Sequence, residues 1–323
     1  MKVLEVSNLT TYYTLREGFV SAVDKVSFFI DEGATFGIAG ESGCGKTTMA
    51  LSIMRILPEN GQIIDGQITL DGEDILAKSD DEMKKVRWKH VSMVFQYAMN
   101  AFNPVLKVGE QIVEAIMSKE QVRKEDAWDK ASQLFEVVGL DPSRVTDYPH
   151  EFSGGMKQRA IIAQALACDP KLIIADEPVT ALDVIVQAKI LNLLQELQKE
   201  FNLAVMLITH DLSVIAEVCD QVGIMYAGKL MERGSAEALF KQSKHPYTKK
   251  LIGAFPSVTG EKKHLEFIPG TPPNLLNPPS GCRFHPRCYM AQRICETKEP
   301  HFADYGNGHF SACHFAEKVN ESD

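Results

Sequence analysis

Residues Gly40-Glu41-Ser42-Gly43-Cys44-Gly45-Lys46-Thr47-Thr48 follow the pattern G-x-x-x-x-G-K-[ST]. Glycines at those positions let backbone N–H groups turn inward around a β-phosphate, and a helix starting at Lys46 adds a favourable dipole. In that geometry Lys46 reaches the β- and γ-phosphates and the Thr47 hydroxyl ligates Mg²⁺. A second run, Leu172-Ile173-Ile174-Ala175-Asp176-Glu177-Pro178, ends an apolar stretch on two carboxylates. Asp176 is suited to hold Mg²⁺ through water, and Glu177 to orient and polarise an attacking water. Acidic residues at strand ends often only begin a turn, but after a phosphate loop the pair points to hydrolysis of a nucleoside triphosphate.

A third run, Phe152-Ser153-Gly154-Gly155-Met156-Lys157-Gln158-Arg159, resembles the signature sequence of ATP-binding-cassette proteins, whose commonest form is L-S-G-G-Q. Its physical logic is a helix N-terminus of small residues facing the γ-phosphate of ATP held by the other protomer. The plainer alternative is an ordinary helix start with Ser153 as N-cap. The resemblance implies ATP held by Tyr13, by Gly40 to Thr48 and by Gln96, with Ser153, Gly154, Gly155 and Asp183 also at the nucleotide. Tyr13 takes the place of the aromatic that stacks on adenine, with Tyr12 a close competitor. Gln96 resembles the Q-loop glutamine that links nucleotide state to a membrane partner, and it joins Thr47 and Asp176 at Mg²⁺. Ala181-Leu182-Asp183 resembles the D-loop. His210 resembles the switch histidine, catalytic together with Glu177 and Lys46.

Two positions depart from the usual signature, Phe152 for Leu and Met156 for Gln, while the Ser-Gly-Gly core is intact. The Phe-Ser-Gly-Gly-Met form is similar to that of oligopeptide and dipeptide importer ATPases, and the "D" type of subunit is the favoured reading. His245-Pro246-Tyr247-Thr248, Pro269-Gly270-Thr271-Pro272-Pro273 and Gly281-Cys282-Arg283-Phe284-His285-Pro286-Arg287-Cys288 extend that resemblance toward the C-terminus. It implies a heterodimer with a second cassette ATPase, two membrane permease subunits and an external solute-binding protein, with this chain peripheral at the cytoplasmic face of the membrane.

Cys282, Cys288, Cys295 and Cys313 crowd into the last part of the chain as C-x5-C-x6-C-x17-C. Four thiolates suffice for a closed Cys₄ site, but the spacing matches neither common ferredoxins nor zinc ribbons. On spacing alone zinc and iron–sulfur stay close; the importer resemblance implies a [4Fe–4S] cluster, with zinc as the alternative. In a proline-rich segment with little core, its role would be structural.

The elements that must position these groups are those of an α/β fold with a largely parallel sheet. Thr35–Ala39, Val91–Phe95, Leu172–Ala175 and Ala204–Thr209 read as strands, and a helix runs from about Lys46 until Pro58. Asp71-Gly72 is a turn signal for an antiparallel subdomain. Ala127, Ala131, Leu134, Phe135 and Val138 repeat at helical spacing, as do Ile190, Leu194, Leu197 and Phe201. The expected architecture is a P-loop (RecA-like) core with a β subdomain over residues 1–97 and 151–235. To it are added a helical subdomain, 98–150, and a small irregular metal-binding extension, 236–323, set apart by prolines that include Pro256.

The 323 residues carry 34 Lys+Arg against 43 Asp+Glu, a formal net charge of −9, which argues against a general nucleic-acid binder. No stretch approaches the roughly 20 apolar residues of a membrane span, and the first residues lack a signal peptide's apolar core. Alternatives are the same motor in an oligosaccharide or nickel importer, or a non-transport cassette ATPase of translation or repair. The tandem cassettes or long coiled coil of those last proteins are not found here.

Overall fold

The computed structural model describes residues 1–96, 101–180, 182–254 and 267–321. The strands and helices up to the middle of the chain are β1 (Lys2–Leu15), β2 (Gly18–Asp31), β3 (Thr35–Ala39), α1 (Lys46–Met54), β4 (Gly61–Leu70), β5 (Glu73–Asp74) and α2 (Asp80–Val86). Next come β6 (Val91–Val94), α3 (Val108–Lys119), α4 (Lys124–Val137), α5 (Gly154–Leu166), β7 (Leu172–Asp176), α6 (Val184–Glu200) and β8 (Ala204–Ile208). The remainder holds α7 (Leu212–Val218), β9 (Gln221–Tyr226), β10 (Lys229–Ser235), α8 (Ala236–Gln242), α9 (Pro246–Gly253), α10 (Arg293–Thr297), β11 (Ala303–Asp304) and β12 (Phe310–Ser311). Two compact units emerge: Met1–Leu4, Phe29–Ala34 and Thr69–Leu207 form one, and Glu5–Phe28, Thr35–Ile68 and the chain from Ile208 onward form the other.

In the first unit β6 and β7 pair in parallel, Val91 beside Leu172 through Val94 beside Ala175. Every residue of β7 is buried, as expected of a parallel strand covered on both faces. Phe95, expected in β6, lies past its end and is exposed. Strand β4 turns into β5 through Asp71 (φ 52°) and Gly72 (φ 82°), both left-handed as a two-residue hairpin turn requires. Helix α4 buries Ala127, Ala131, Leu134 and Phe135, the face its periodicity predicts, and packs on α3. Helix α6 buries Ile190, Leu194 and Leu197 but ends at Glu200, so Phe201 leaves that face at the C-cap and is exposed. Residues 98–100, where the helical subdomain is expected to begin, lie outside the described residues.

In the second unit β3 is wholly buried and pairs in parallel with β9, Phe36 beside Gln221 through Ala39 beside Ile224. Strand β9 pairs antiparallel with β10. Helix α1 stops at Met54, earlier than Pro58 suggests, because Arg55 adopts a left-handed conformation (φ 50°) and its N–H caps the carbonyls of Leu51 and Ser52. The C-terminal extension differs more from expectation. It is not wholly irregular: α8 and α9 are regular helices, and His245 caps α9 by accepting the Tyr247 N–H at 3.0 Å, with Pro246 in the first turn. Nor is it merely appended: β12 pairs with β10 and β11 with β12, lengthening the sheet at its edge. Its apolar core is shared, because the rings of Tyr226, Tyr247 and Phe284 lie 4.7 to 5.2 Å apart and all three are fully buried. Pro256 lies outside the described residues. Among the described residues no helix is long and apolar enough to cross a membrane.

Candidate nucleotide site and cysteine cavity

The phosphate loop lies between β3 and α1, as its pattern requires. Its outer glycines are sterically obligatory: a Cβ on Gly40 (φ 149°) would stand 2.1 Å from the Met225 carbonyl oxygen, and one on Gly45 (φ 107°) 2.1 Å from that of Ala22. The Lys46 side chain is buried, and its ammonium donates to the carbonyls of Gly40 (2.7 Å) and Glu41 (3.1 Å). Thr47 is exposed at the mouth of the loop, as are Ser42 and Gly43. Helix α1 has no side-chain cap and no acidic residue in its first turn, which leaves its N-terminal N–H groups to an anion. Cys44 is buried, its sulfur accepts from the Lys46 ammonium at 3.7 Å, and burial raises its thiol pKa.

Tyr13 and Tyr12 are separated by strand alternation. The Tyr13 hydroxyl donates to Thr48 Oγ1 at 3.3 Å, and a Cβ on Gly61 would press 2.8 Å from the Tyr13 ring. Tyr13, half-buried beside α1, is therefore the tyrosine next to the loop. Beyond β8, His210 is exposed, between Thr209, whose hydroxyl accepts the Asp211 N–H at 3.0 Å, and Asp211, the N-cap of α7.

In the first unit β7 ends on buried Asp176, and Glu177 follows in a left-handed conformation (φ 48°), uncommon for a residue with a Cβ. Its carboxylate is aimed by two donors, Gln96 Nε2 at 3.0 Å and Thr180 Oγ1 at 2.9 Å, both onto Oε2. Gln96 and Glu177, chosen separately in the sequence, thus meet. Thr180 was missed, although its position three residues after Glu177 fits a turn in which a hydroxyl reaches back. Strain that survives at such a position marks a site held by its surroundings.

The signature run starts α5. Ser153 caps it, accepting the Met156 N–H at 3.4 Å, so the plain structural role is real. Gly155 has a packing role as well, since a Cβ there would lie 2.7 Å from a Val186 methyl on α6. Asp183 caps α6 by accepting the Val186 N–H at 3.0 Å; its neighbour Ala181 lies outside the described residues. Both departures from the usual signature find a partner in Arg144, a residue in none of the motifs. Arg144 lies over the Phe152 ring (5.1 Å), donates to the Met156 sulfur (3.5 Å) and to the Glu151 carbonyl (2.9 Å), and pairs with Asp147 at 2.8 Å. Phe152 is also buried edge-on against Phe135 at 6.2 Å.

Cys282, Cys288, Cys295 and Cys313 all line one cavity, together with His245, His285 and Phe284. The cavity is small, about 10 Å³. Burial pushes the thiols of Cys282, Cys288 and Cys313 up to about 11, about 12 and about 12. The expectation of a metal-binding domain is not met in its simplest form: among the described residues no group of three or more His, Cys, Asp or Glu is arranged to hold a metal ion.

Comparison with known proteins agrees with this geometry. The family described as "ABC transporter" matches residues 23–180, and that described as "Oligopeptide/dipeptide transporter, C-terminal region" matches residues 231–295. The oligopeptide transport ATP-binding protein OppD of Haemophilus influenzae is 44% identical over 321 residues, covering 98% of this chain and 99% of its own. The dipeptide transport ATP-binding protein DppD of Bacillus subtilis is 46% identical over 302 residues, covering 93% and 90%. A dimeric structure of the bacterial ABC transporter cassette MJ0796 matches with a TM-score of 0.65 at 29% identity, over 72% of this chain and 98% of that one. With relatives this similar along nearly its whole length, the chain belongs to the ATP-binding-cassette transporter ATPases of the oligopeptide/dipeptide type.

Proposed function

We propose that this chain hydrolyses MgATP to drive uptake of di- and oligopeptides, working beside a second cassette subunit against two membrane permeases that an external binding protein supplies. It would sit at the cytoplasmic face of the membrane as a peripheral subunit. The observation that carries the peptide reading is similarity to peptide-transport ATP-binding proteins along nearly the whole chain, C-terminal region included.

In this reading the N–H groups of residues 40–48 bind the phosphates, Lys46 leaves its two loop carbonyls for phosphate oxygens, and Tyr13 stacks on adenine. Thr47, Asp176 and Gln96 would hold Mg²⁺, which would supply positive charge to offset that of the phosphates. Glu177 orients the attacking water and accepts its proton, with Gln96 and Thr180 fixing the carboxylate. His210 contacts the γ-phosphate, and Ser153 to Gly155 complete the site on the opposite protomer. The helical segment 98–150, entered after Gln96 and left before the signature, transmits closure to the membrane subunits. The test is ATP hydrolysis by the reconstituted importer: peptide-loaded binding protein should stimulate it, whereas stimulation by nickel or an oligosaccharide and not by peptide would overturn the substrate class.

We also propose that the four cysteines hold a [4Fe–4S] cluster. The four cysteines line one cavity, which supports reading them as one ligand set, and a cluster when bound would supply a cross-link in a loop-rich segment. The chain's own contribution would be the four cysteine sulfurs. Anaerobically prepared protein should contain iron and acid-labile sulfide in about a 1:1 ratio. Stoichiometric zinc without sulfide would overturn the cluster.

A further inference from the structure

We infer that Arg287, in the C-terminal extension, is a positioning residue for nucleotide binding: it neutralises the Glu41 carboxylate and fixes the phosphate loop. The inference rests on the reading of residues 40–48 as the nucleotide site. Arg287 Nη1 donates to Glu41 Oε2 at 2.7 Å and Nη2 to Oε1 at 2.9 Å, a two-pronged ion pair. The guanidinium is itself fixed, donating to the Tyr226 hydroxyl at 3.2 Å and, through Nε, to the Pro269 carbonyl at 2.7 Å. Only 6% of the Arg287 side chain and 24% of that of Glu41 are exposed, so water screens the pair weakly. A second tie from the extension reaches the same residue, the Tyr247 hydroxyl accepting the Glu41 N–H at 3.0 Å.

Glu41 is the second residue of a loop whose other groups favour negative charge. Its carboxylate, unpaired, would oppose the incoming phosphates. Arg287 takes both carboxylate oxygens and so removes that repulsion. Because the Glu41 carbonyl also accepts from Lys46, the pair further sets the loop path that presents the lysine. A solely structural role for Arg287 would not depend on the charge of Glu41; this role does.

The experiment is nucleotide affinity of the full chain, read with a fluorescent ATP analogue and Mg²⁺, alongside thermal unfolding. Wild-type binding tests the nucleotide reading itself. Given that binding, Arg287→Met should weaken affinity about tenfold, the scale of one lost charged hydrogen-bond pair. Adding Glu41→Gln in the same chain should restore most of it. Wild-type affinity in Arg287→Met, or a double variant as weak as the single, would overturn the proposal. Should Arg287→Met not fold, Arg287→Lys serves: it keeps the charge, loses the fork, and should bind about threefold more weakly with increased salt sensitivity. Unchanged affinity and salt dependence in Arg287→Lys would overturn the proposal equally.

Discussion

The loop at residues 40–48 takes its shape from neighbours in sequence: a buried strand before it, a helix after it, glycines at positive φ, and a lysine bonded to carbonyls five and six positions back. The segment at 267–321 has short helices and two-residue strands, and distant side chains hold it. Arg283 reaches the Ala227 carbonyl and Asp24, Arg287 reaches Glu41, and Phe284 enters the aromatic cluster with Tyr226 and Tyr247. One region is built by local backbone chemistry, the other by a few long-range anchors. The contrast is not one of function against scaffold, because the second region grips a residue of the first.

If the loop's chemistry is local, its lysine should matter most. Lys46→Ala removes the only side-chain cation within residues 40–48 and should lower ATP turnover by about a hundredfold or more, with weaker nucleotide binding in the same titration. A lysine variant with near-wild-type turnover would break the comparison at its first term. The second region should yield to loss of one ring. Phe284→Ala empties a fully buried site and should cost about 3–5 kcal/mol in denaturant unfolding followed by near-ultraviolet circular dichroism. A loss below about 1 kcal/mol would mean that other groups, the cysteine cavity first, hold the extension. The smallest effect belongs to the hairpin of the first unit. There a hydrogen bond from Lys171 (2.7 Å), aided by His90 (3.2 Å), holds the Asp71 carboxyl below its usual range. The lowered pKa means stability that is present above about pH 4 and lost as pH falls through the folded-state value. Asp71→Asn tolerates the left-handed turn and removes only charge. It should destabilise by no more than about 1 kcal/mol at pH 7, a difference that closes as pH falls through the lowered folded-state value. A gap that persists in acid would assign the effect to turn geometry.

Much of this was legible in sequence where the cause lies within a few residues. The phosphate loop, the Asp71-Gly72 turn, the buried face of α4 and the strand carrying Asp176 follow from spacing and turn chemistry. The misreadings are also physical. Pro58 suggests the end of α1, but a left-handed Arg55 ends it first; Phe201 fits the α6 period, but the helix stops before it. The extension, expected as a small appended domain, shares sheet and core with β9 and β10, the strands that precede it. Arg144 and Arg287 were invisible as organisers because their partners are chosen by tertiary packing; Arg287 lies 246 positions from Glu41. Composition and period carry no information at that range.

The central claim, that the loop binds ATP and that Glu177 activates the water, is tested most directly by one paired measurement on Glu177→Gln in the assembled complex with MgATP: nucleotide retained and phosphate released from the same sample. Glutamine keeps the size of the side chain and loses its basicity, so ATP should stay bound at wild-type stoichiometry and phosphate release should slow by about a hundredfold or more. Phosphate released at the wild-type rate would contradict it.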